Sequence, residues 1–264
     1  MVCVILPGMA QTYIQYVDSA DFYIKREMWN DAERVTIAAI KLTPANKLNK
    51  YLWSNLGDIR TNMEDYPGAL QAFEIGLASD PKSTDILTRR AYTYLKMGKK
   101  QEALVDIDSA LAVDSIMEWP LKMRALLLFG KGDFKGAERD YSALMRNYPS
   151  NPDGYLGMGK ITAMKGDHKK ALQLLKKSLE LEQDEETWFY IVMVNIEGND
   201  IPNAKEELYT ALKRYPRSGN LYLLRGVIHK INYENDSAEL DKKIALDYGA
   251  DPLLVEKYFP KIRK

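Results

Sequence analysis

A small residue recurs along this chain at a nearly constant interval. Alanine occupies the recurring position seven times, at intervals of 37, 34, 34, 34, 33 and 34 residues. The position twelve residues earlier is Gly or Ala in six of the seven cases. A fixed period of this length indicates an array of similar units, none of which can bury its apolar surface alone. The recurring residues are Ala32, Ala69, Ala103, Ala137, Ala171, Ala204 and Ala238.

Each period predicts two α-helices of about 12–15 residues joined by a short turn. Glycine in turns such as the one at Gly98 suits the left-handed backbone that ends a helix. The small residues Gly57 and Ala69 predict that the two helices approach closely. That contact offsets the roughly 1 kcal/mol that a glycine within a helix costs. Four units also carry a proline such as Pro81 twelve residues after the alanine, where it ends the second helix.

The unit at residues 50–83 has the most complete pattern: Trp53, Leu56, Gly57, Tyr66, Ala69, Phe73, Leu77 and Pro81. This pattern resembles the tetratricopeptide repeat (TPR), and it stays in register over residues 13–252. The resemblance implies an all-α fold, a right-handed α-solenoid of helix-turn-helix repeats whose first helices form a concave face. The predicted repeats span residues 13–46, 50–83, 84–117, 118–151, 152–184, 185–218 and 219–252.

Three features depart from a uniform array. Additional residues at 46–49 predict a longer loop between the first two repeats. Lys242 stands where the resemblance implies a large apolar residue. Residues 253–264 include a short amphipathic stretch, which we interpret as a helix that caps the last repeat, since the ends of an array need a cap. The alternative is that this stretch is a free docking peptide.

The composition excludes several classes of function. The 37 basic and 37 acidic residues balance, so the basic excess of a nucleic-acid-binding protein is missing. A single cysteine and two distant histidines predict no metal site, no cofactor and no catalytic residues. The cluster of lysines in residues 160–177 is followed at once by acids and is typical of a solvated helix surface. No apolar run is long enough for an integral membrane segment.

Residues 1–11 form a short apolar segment that ends in small residues. This form suggests a truncated signal peptide, which would place the protein in the periplasm or otherwise outside the cytoplasm. The alternative is a disordered N-terminus on a cytoplasmic protein.

The resemblance also implies which side chains face the concave groove. The polar candidates for partner binding are Asn55, Asp58, Arg89 and Tyr92. The apolar candidates are Trp119, Met123, Leu126, Tyr190 and Met193. Residues of the last repeat, Leu223, Leu224 and Val227, continue this apolar part of the predicted groove. We interpret Pro120 as the first residue of its helix, which leaves Trp119 at the groove rim.

These features predict a non-catalytic scaffold or adaptor that binds a peptide or helix of a partner protein in the groove. The alternative is a self-associating structural protein of the cell envelope, and therefore a homo-oligomer. Chaperone-binding members of the family grip a terminal carboxylate with Lys, Asn and Arg. Here Asn55 and Arg89 match two of these positions. The others are occupied by Val17, Asp21 and Asp85, and the two acids would repel such a carboxylate.

Overall fold

The computed structural model of the protein describes residues 7–260, with side chains from residue 11 onward. Within this range the chain forms fifteen α-helices and no strand, so the predicted all-α fold is confirmed. The helices are α1 Pro7–Ile24, α2 Trp29–Leu42, α3 Asn49–Asn62, α4 Tyr66–Ser79, α5 Thr84–Lys96, α6 Lys100–Val113, α7 Glu118–Gly130, α8 Phe134–Asn147, α9 Pro152–Met164, α10 His168–Leu181, α11 Glu185–Glu197, α12 Ile201–Arg214, α13 Gly219–Ile231, α14 Asn235–Asp247 and α15 Pro252–Tyr258.

The chain divides into two compact units, residues 1–127 and 128–264, and the division falls within α7. Unit 1 contains the hairpins α1–α2, α3–α4 and α5–α6 and most of α7. Unit 2 contains α8, the hairpins α9–α10, α11–α12 and α13–α14, and the terminal helix α15. Within each unit the second helix of one hairpin packs on the first helix of the next, as α2 does on α3 and α10 on α11. This is the nearest-neighbour stacking of a repeat array.

The small residues of the repeat lie where the two helices of a hairpin touch. A Cβ atom placed on Gly57 would come within 2.3–2.6 Å of the ring of Phe73. Phe73 on α4 is fully buried, as is Ala69 one turn before it. A side chain at Gly57 would therefore displace the ring that fills the centre of the α3–α4 hairpin, which confirms the close approach predicted there.

Every hairpin turn has one residue with a left-handed backbone, five positions before the recurring alanine. Glycine holds it in three turns, with φ of 74°, 82° and 82° at Gly98, Gly132 and Gly166. In the other four the residue is not glycine, and φ is 57° to 63° at Glu27, Glu64, Asn199 and Tyr233. The seven turns therefore share one conformation, which is costly for the Glu and Tyr residues that hold it in three of them, whereas Asn tolerates it.

The helix ends follow the prolines and loops of the sequence with one difference. Pro81 follows the end of α4, and residues 43–48 form a longer connection between α2 and α3 than residues 80–83 do between α4 and α5. Helix α7 begins at Glu118, so the prediction that Pro120 opens it was wrong. Pro120 lies in the first turn, where the backbone N–H has no partner within the helix in any case, so the helix starts before it.

In each of two hairpins, a buried ion pair joins the first helix to the second. In unit 1, Arg90 on α5 donates two hydrogen bonds to the carboxylate of Asp106 on α6, each 2.7 Å long. In unit 2, Arg225 on α13 makes the same pair with Asp241 on α14, at 2.8 and 2.6 Å. Both aspartates are 2% exposed. The partners are sixteen residues apart in each pair, at matching positions of two repeats.

Helix α15 lies at the predicted position of the C-terminal cap. Val255 and Phe259 are buried and pack in one cluster with Leu223 and Val227 of α13. The ammonium groups of Lys230 and Lys242 lie over the Phe259 ring, at 5.3 and 5.5 Å from its centre. The Lys242 ammonium thus contacts an aromatic ring of the C-terminal segment, which accounts for a lysine at this position.

The ends of the chain reach beyond the described range. Helix α1 begins at Pro7, so residues 7–11 of the predicted N-terminal segment continue into the first helix. Residues 1–6 of the predicted signal peptide and residues 261–264 of the predicted cap lie outside the described residues.

Candidate functional site

Four of the nine predicted binding residues line a single pocket in unit 1, which we call the Arg89 pocket. Asp58 comes from α3, Arg89 and Tyr92 from α5, and Trp119 from α7. The pocket has a volume of about 260 Å³. The first helices of three successive repeats therefore contribute to the pocket, which is the arrangement expected of a groove that runs along the first helices. Its full lining is Asp58, Thr61, Asn62, Thr88, Arg89, Tyr92 and Trp119.

Two carboxylates hold the guanidinium of Arg89. One terminal nitrogen donates to Asp58 Oδ2, and Nε donates to Asp85 Oδ1 at 2.7 Å. Asp85 is fixed in turn, because its second oxygen accepts a hydrogen bond of 2.8 Å from the Ser54 hydroxyl. Partial burial lowers the pKa of Arg89, yet an arginine keeps its proton in a protein. The group is therefore a charged arginine with a fixed orientation, and 36% of its side chain remains exposed.

Two aromatic rings form another part of the wall. The rings of Tyr92 and Trp119 meet edge to face, with centroids 6.3 Å apart and planes inclined by 67°. The Lys96 ammonium lies 5.4 Å from the centre of the Tyr92 ring. Tyr92 is 41% exposed. This arrangement leaves a partly open aromatic surface beside the arginine, of the kind that anchors protein contacts.

A pair of hydroxyl groups joins two of the helices that line the pocket. The hydroxyls of Thr61 on α3 and Thr93 on α5 lie 2.7 Å apart and are hydrogen-bonded. Thr61 also donates to the carbonyl of Gly57. The bond between the two hydroxyls joins α3 to α5, the helices that carry Asp58 and Arg89. The pocket geometry is therefore set by the packing of the repeats before any ligand arrives.

Three lining residues are not among the nine predicted binding residues. Thr61 and Asn62 lie three and four residues after Asp58, and Thr88 lies four residues before Tyr92. Because residues three and four apart share a face of an α-helix, helical spacing from the predicted residues identifies all three.

Three predicted residues of unit 1 lie outside the pocket. Asn55 is half-buried on α3, one turn before Asp58, and its side chain makes no hydrogen bond within the described part of the chain. Met123 and Leu126 follow Trp119 at i+4 and i+7 on α7, a spacing that places the three on one helix face. Leu126 is 43% exposed and Met123 is half-buried.

The last two predicted residues, Tyr190 and Met193, lie on α11 in unit 2. Both are partly buried and pack against the hydrophobic core of that unit. Burial raises the pKa of Tyr190, and the Lys160 ammonium lies 4.6 Å from the centre of its ring. Tyr190 also lines a second depression of about 470 Å³ together with Glu185, Glu186, Phe189, Asn220, Asp251 and Leu254.

The predicted apolar groove in the last repeat was wrong. Leu223, Leu224 and Val227 are only 0%, 1% and 8% exposed. Leu223 and Val227 are covered by α15, and Leu224 belongs to the core of unit 2. These residues stabilise the fold and offer no surface to a ligand.

The lysine cluster of residues 160–177 is largely paired with acids. Lys165 binds Glu138 at 2.7 Å, Lys176 binds Glu207 at 2.7 Å, and Lys177 binds Glu180 at 3.0 Å. Residues 7–260 contain no group of three or more His, Cys, Asp or Glu residues that could hold a metal ion. Over the same residues, no helix is both long and apolar enough to cross a membrane.

Comparison with known proteins identifies the repeat. The tetratricopeptide repeat family model matches residues 54–115 and 122–186. The crystal structure of a tetratricopeptide repeat protein from Parabacteroides merdae superimposes with a TM-score of 0.70 at 24% sequence identity. The match covers 94% of this chain and 97% of that one. A likeness at this identity concerns the fold alone, and it confirms the predicted all-α solenoid.

Two curated proteins are similar in sequence. BBSome complex member BBS4 from Bos taurus is 24% identical over 211 residues, which make up 77% of this chain and 40% of that protein. Hsp70-Hsp90 organizing protein 2 from Arabidopsis thaliana is 24% identical over 188 residues, 66% of this chain and 31% of that protein. The chain thus spans less than half of the length of these relatives.

Proposed function

The chain belongs to the tetratricopeptide repeat family, whose repeats indicate a protein–protein interaction scaffold, and from this premise we propose that unit 1 binds an extended peptide segment of a partner protein. The observation that carries the proposal is the Arg89 pocket. Residues from three helices meet there, and they include four of the nine that the repeat register predicts. A scaffold of this kind needs no catalytic group.

The size of the pocket supports a peptide ligand. Pockets for small molecules and cofactors usually measure about 300–1,000 Å³, and the Arg89 pocket, at about 260 Å³, is smaller. It suits one side chain of a longer ligand. The rest of the ligand then lies along the surface on either side.

Neighbouring polar groups suit the backbone of such a peptide. The amide of Asn55 has no partner within the described residues, and Asn62 uses one amide hydrogen on the carbonyl of Asp58. An asparagine amide offers both donors and an acceptor, which match the N–H and C=O of an extended backbone. On the other side, Trp119 and Leu126 continue the surface with apolar contact.

The charges beside the pocket argue against an anionic anchor. Arg89 already binds Asp58 and Asp85, so a terminal carboxylate would have to displace one of them. A peptide that inserts an uncharged side chain avoids that competition. This separates the proposed ligand from the carboxylate-terminated peptides of the chaperone-binding family members.

A peptide-display selection against the whole chain tests the proposal. Peptides that bind should lose about tenfold in affinity or more with Tyr92→Ala, because exposed aromatic residues at the centre of an interface contribute about 1–2 kcal/mol or more. Tyr209→Ala is the matched control, since Tyr209 is a 73% exposed tyrosine on α12 of unit 2. Isothermal titration calorimetry measures both variants. Equal affinity for the two variants, or no peptide recovered, would refute the proposal.

The predicted residues Tyr190 and Met193 are less suited to this test. Because both pack against the core of unit 2, their truncation would lower stability together with any binding. Their contribution to partner binding stays a prediction.

A further inference from the structure

The orientation of Arg89 suggests which side chain the pocket accepts. A guanidinium is planar, and its hydrogen bonds lie in that plane. Asp58 and Asp85 occupy positions on the edge of the Arg89 guanidinium. Neither carboxylate uses the flat faces of the group. Arg89 lines the pocket, and more than a third of its side chain is exposed.

Other arginines of this chain already carry an aromatic ring on that face. Arg26 lies 3.7 Å from the centre of the Phe22 ring, and Arg225 lies 4.5 Å from that of Tyr222. Among the described residues, no aromatic ring lies over Arg89. Two carboxylates hold its orientation, and its face is not used by a ring of the described residues.

We infer that the Arg89 pocket selects an aromatic side chain of the partner, which stacks on the guanidinium face of Arg89 between the walls formed by Tyr92 and Trp119. This inference rests on the proposed function and names the anchor residue of the bound peptide. Arginine faces attract aromatic rings through cation–π and stacking contacts. The two carboxylates matter because they hold the plane in place, so a ring that binds loses little to the ordering of the arginine.

The anchor is tested with single-residue probes and the full chain. The probes are N-acetyl-phenylalaninamide and N-acetyl-leucinamide, titrated while NMR follows the indole N–H of Trp119. The phenylalanine probe should bind about two- to fivefold more tightly than the leucine probe, the range expected for a cation–π contact at a partly exposed site. Both probes are uncharged, so their affinities differ only through the side chain, and the Arg89 variants separate the contact with the guanidinium from the difference in size.

Three variants assign the ratio to the guanidinium. Arg89→Met removes the charge and the planar group, and Arg89→Lys keeps the charge but removes the plane. Both should bring the two affinities within about twofold of each other. Lys96→Met is the matched control, because it removes the cation beside the Tyr92 ring and should leave the ratio unchanged. Far-UV circular dichroism and Tm establish that each variant is folded.

The outcomes separate this inference from the proposed function. Equal binding of the two probes, or a ratio that survives in both Arg89 variants, overturns the inference while peptide binding through Tyr92 stands. Peptides that depend on Tyr92 while neither probe shifts the Trp119 signal also overturn it, since the pocket then is not the anchor site. If no peptide binds at all, the proposed function itself fails.

Discussion

Replacement of Asp106 by alanine should destabilise unit 1 far more than the same change at Asp108, two residues later on α6. Asp106 is 2% exposed and accepts two hydrogen bonds from Arg90. The carboxylate of Asp108 is 59% exposed and accepts one hydrogen bond, 2.9 Å long, from Arg124. Both changes turn an aspartate of the same helix into alanine, so the gain in helix propensity is common to the two and cancels in the comparison.

The expected magnitudes follow from burial. Removal of one partner of a buried ion pair costs about 3–5 kcal/mol, because the other charge is left without compensation. Arg90 retains 20% exposure of its side chain, which lets it recover part of its hydration. The value for Asp106→Ala should therefore lie at the lower end, at about 3 kcal/mol. An exposed pair contributes only about 0.2–1 kcal/mol, which sets the expectation for Asp108→Ala.

Urea unfolding followed by far-UV circular dichroism measures the free energy of unfolding for both variants. If the repeats unfold in more than one step, as arrays of this kind can, the midpoint of the transition that unfolds unit 1 is compared between the two variants. Asp106→Asn separates charge from volume, because it keeps the size of the side chain but loses its charge and should cost nearly as much as alanine. Variants of Asp106 and Asp108 that lose equal stability would refute the assignment of this pair as a tie between α5 and α6.

Three further predictions concern stability. Tyr233→Gly should raise the free energy of unfolding by about 1 kcal/mol, because Tyr233 holds a φ of 63° and its side chain is 89% exposed. Gly98→Ala should lower the free energy of unfolding by a similar amount, because Gly98 holds a φ of 74°. Gly57→Ala should lower Tm by several degrees through its clash with a buried ring, and an unchanged Tm would contradict that close contact. His229 lowers the pKa of Glu234 below its usual 4.5, so this pair stabilises the fold above that pH and loses its effect as the pH falls through the lowered value. Glu234→Gln should flatten this acid part of the Tm profile, measured from about pH 6 to about pH 3.

The period of the small residues predicted most of the architecture. Alanine and glycine recur because two helices must touch at the same place in every repeat, as Gly57 does against the Phe73 ring. That requirement leaves a direct trace in the sequence. The left-handed turn residue can be recognised in the sequence only where it is glycine. Tyr233 and Glu64 adopt the same backbone conformation, and their residue type does not predict it. At these two residues the packing of the hairpin imposes the left-handed turn against the backbone preference of the residue itself.

The candidate site was only partly predictable. The register placed Arg89 and Tyr92 on the same helix face and near Trp119, because the position of a residue within a repeat determines which way its side chain points. The register does not report what else covers a face. Leu223 faces away from solvent because α15 lies on it, and that contact depends on a segment outside the repeat pattern. The repeat register therefore predicts which face of a helix a side chain occupies, but only the structure shows whether that side chain is exposed.

The neighbouring arginines Arg89 and Arg90 show how one helix serves both the fold and the ligand. Consecutive residues of an α-helix point about 100° apart, since 3.6 residues make one turn. Arg90 reaches Asp106 on the partner helix of its own hairpin, in a buried pair. Arg89 reaches Asp58 on the preceding first helix and Asp85 one turn away, in pairs that remain open to solvent. Because exposed pairs contribute little to stability, Arg89 variants should alter ligand choice and leave Tm nearly unchanged, whereas loss of the Arg90 pair should lower Tm. Similar losses of stability at the two positions would mean that this helix does not divide its faces in this way.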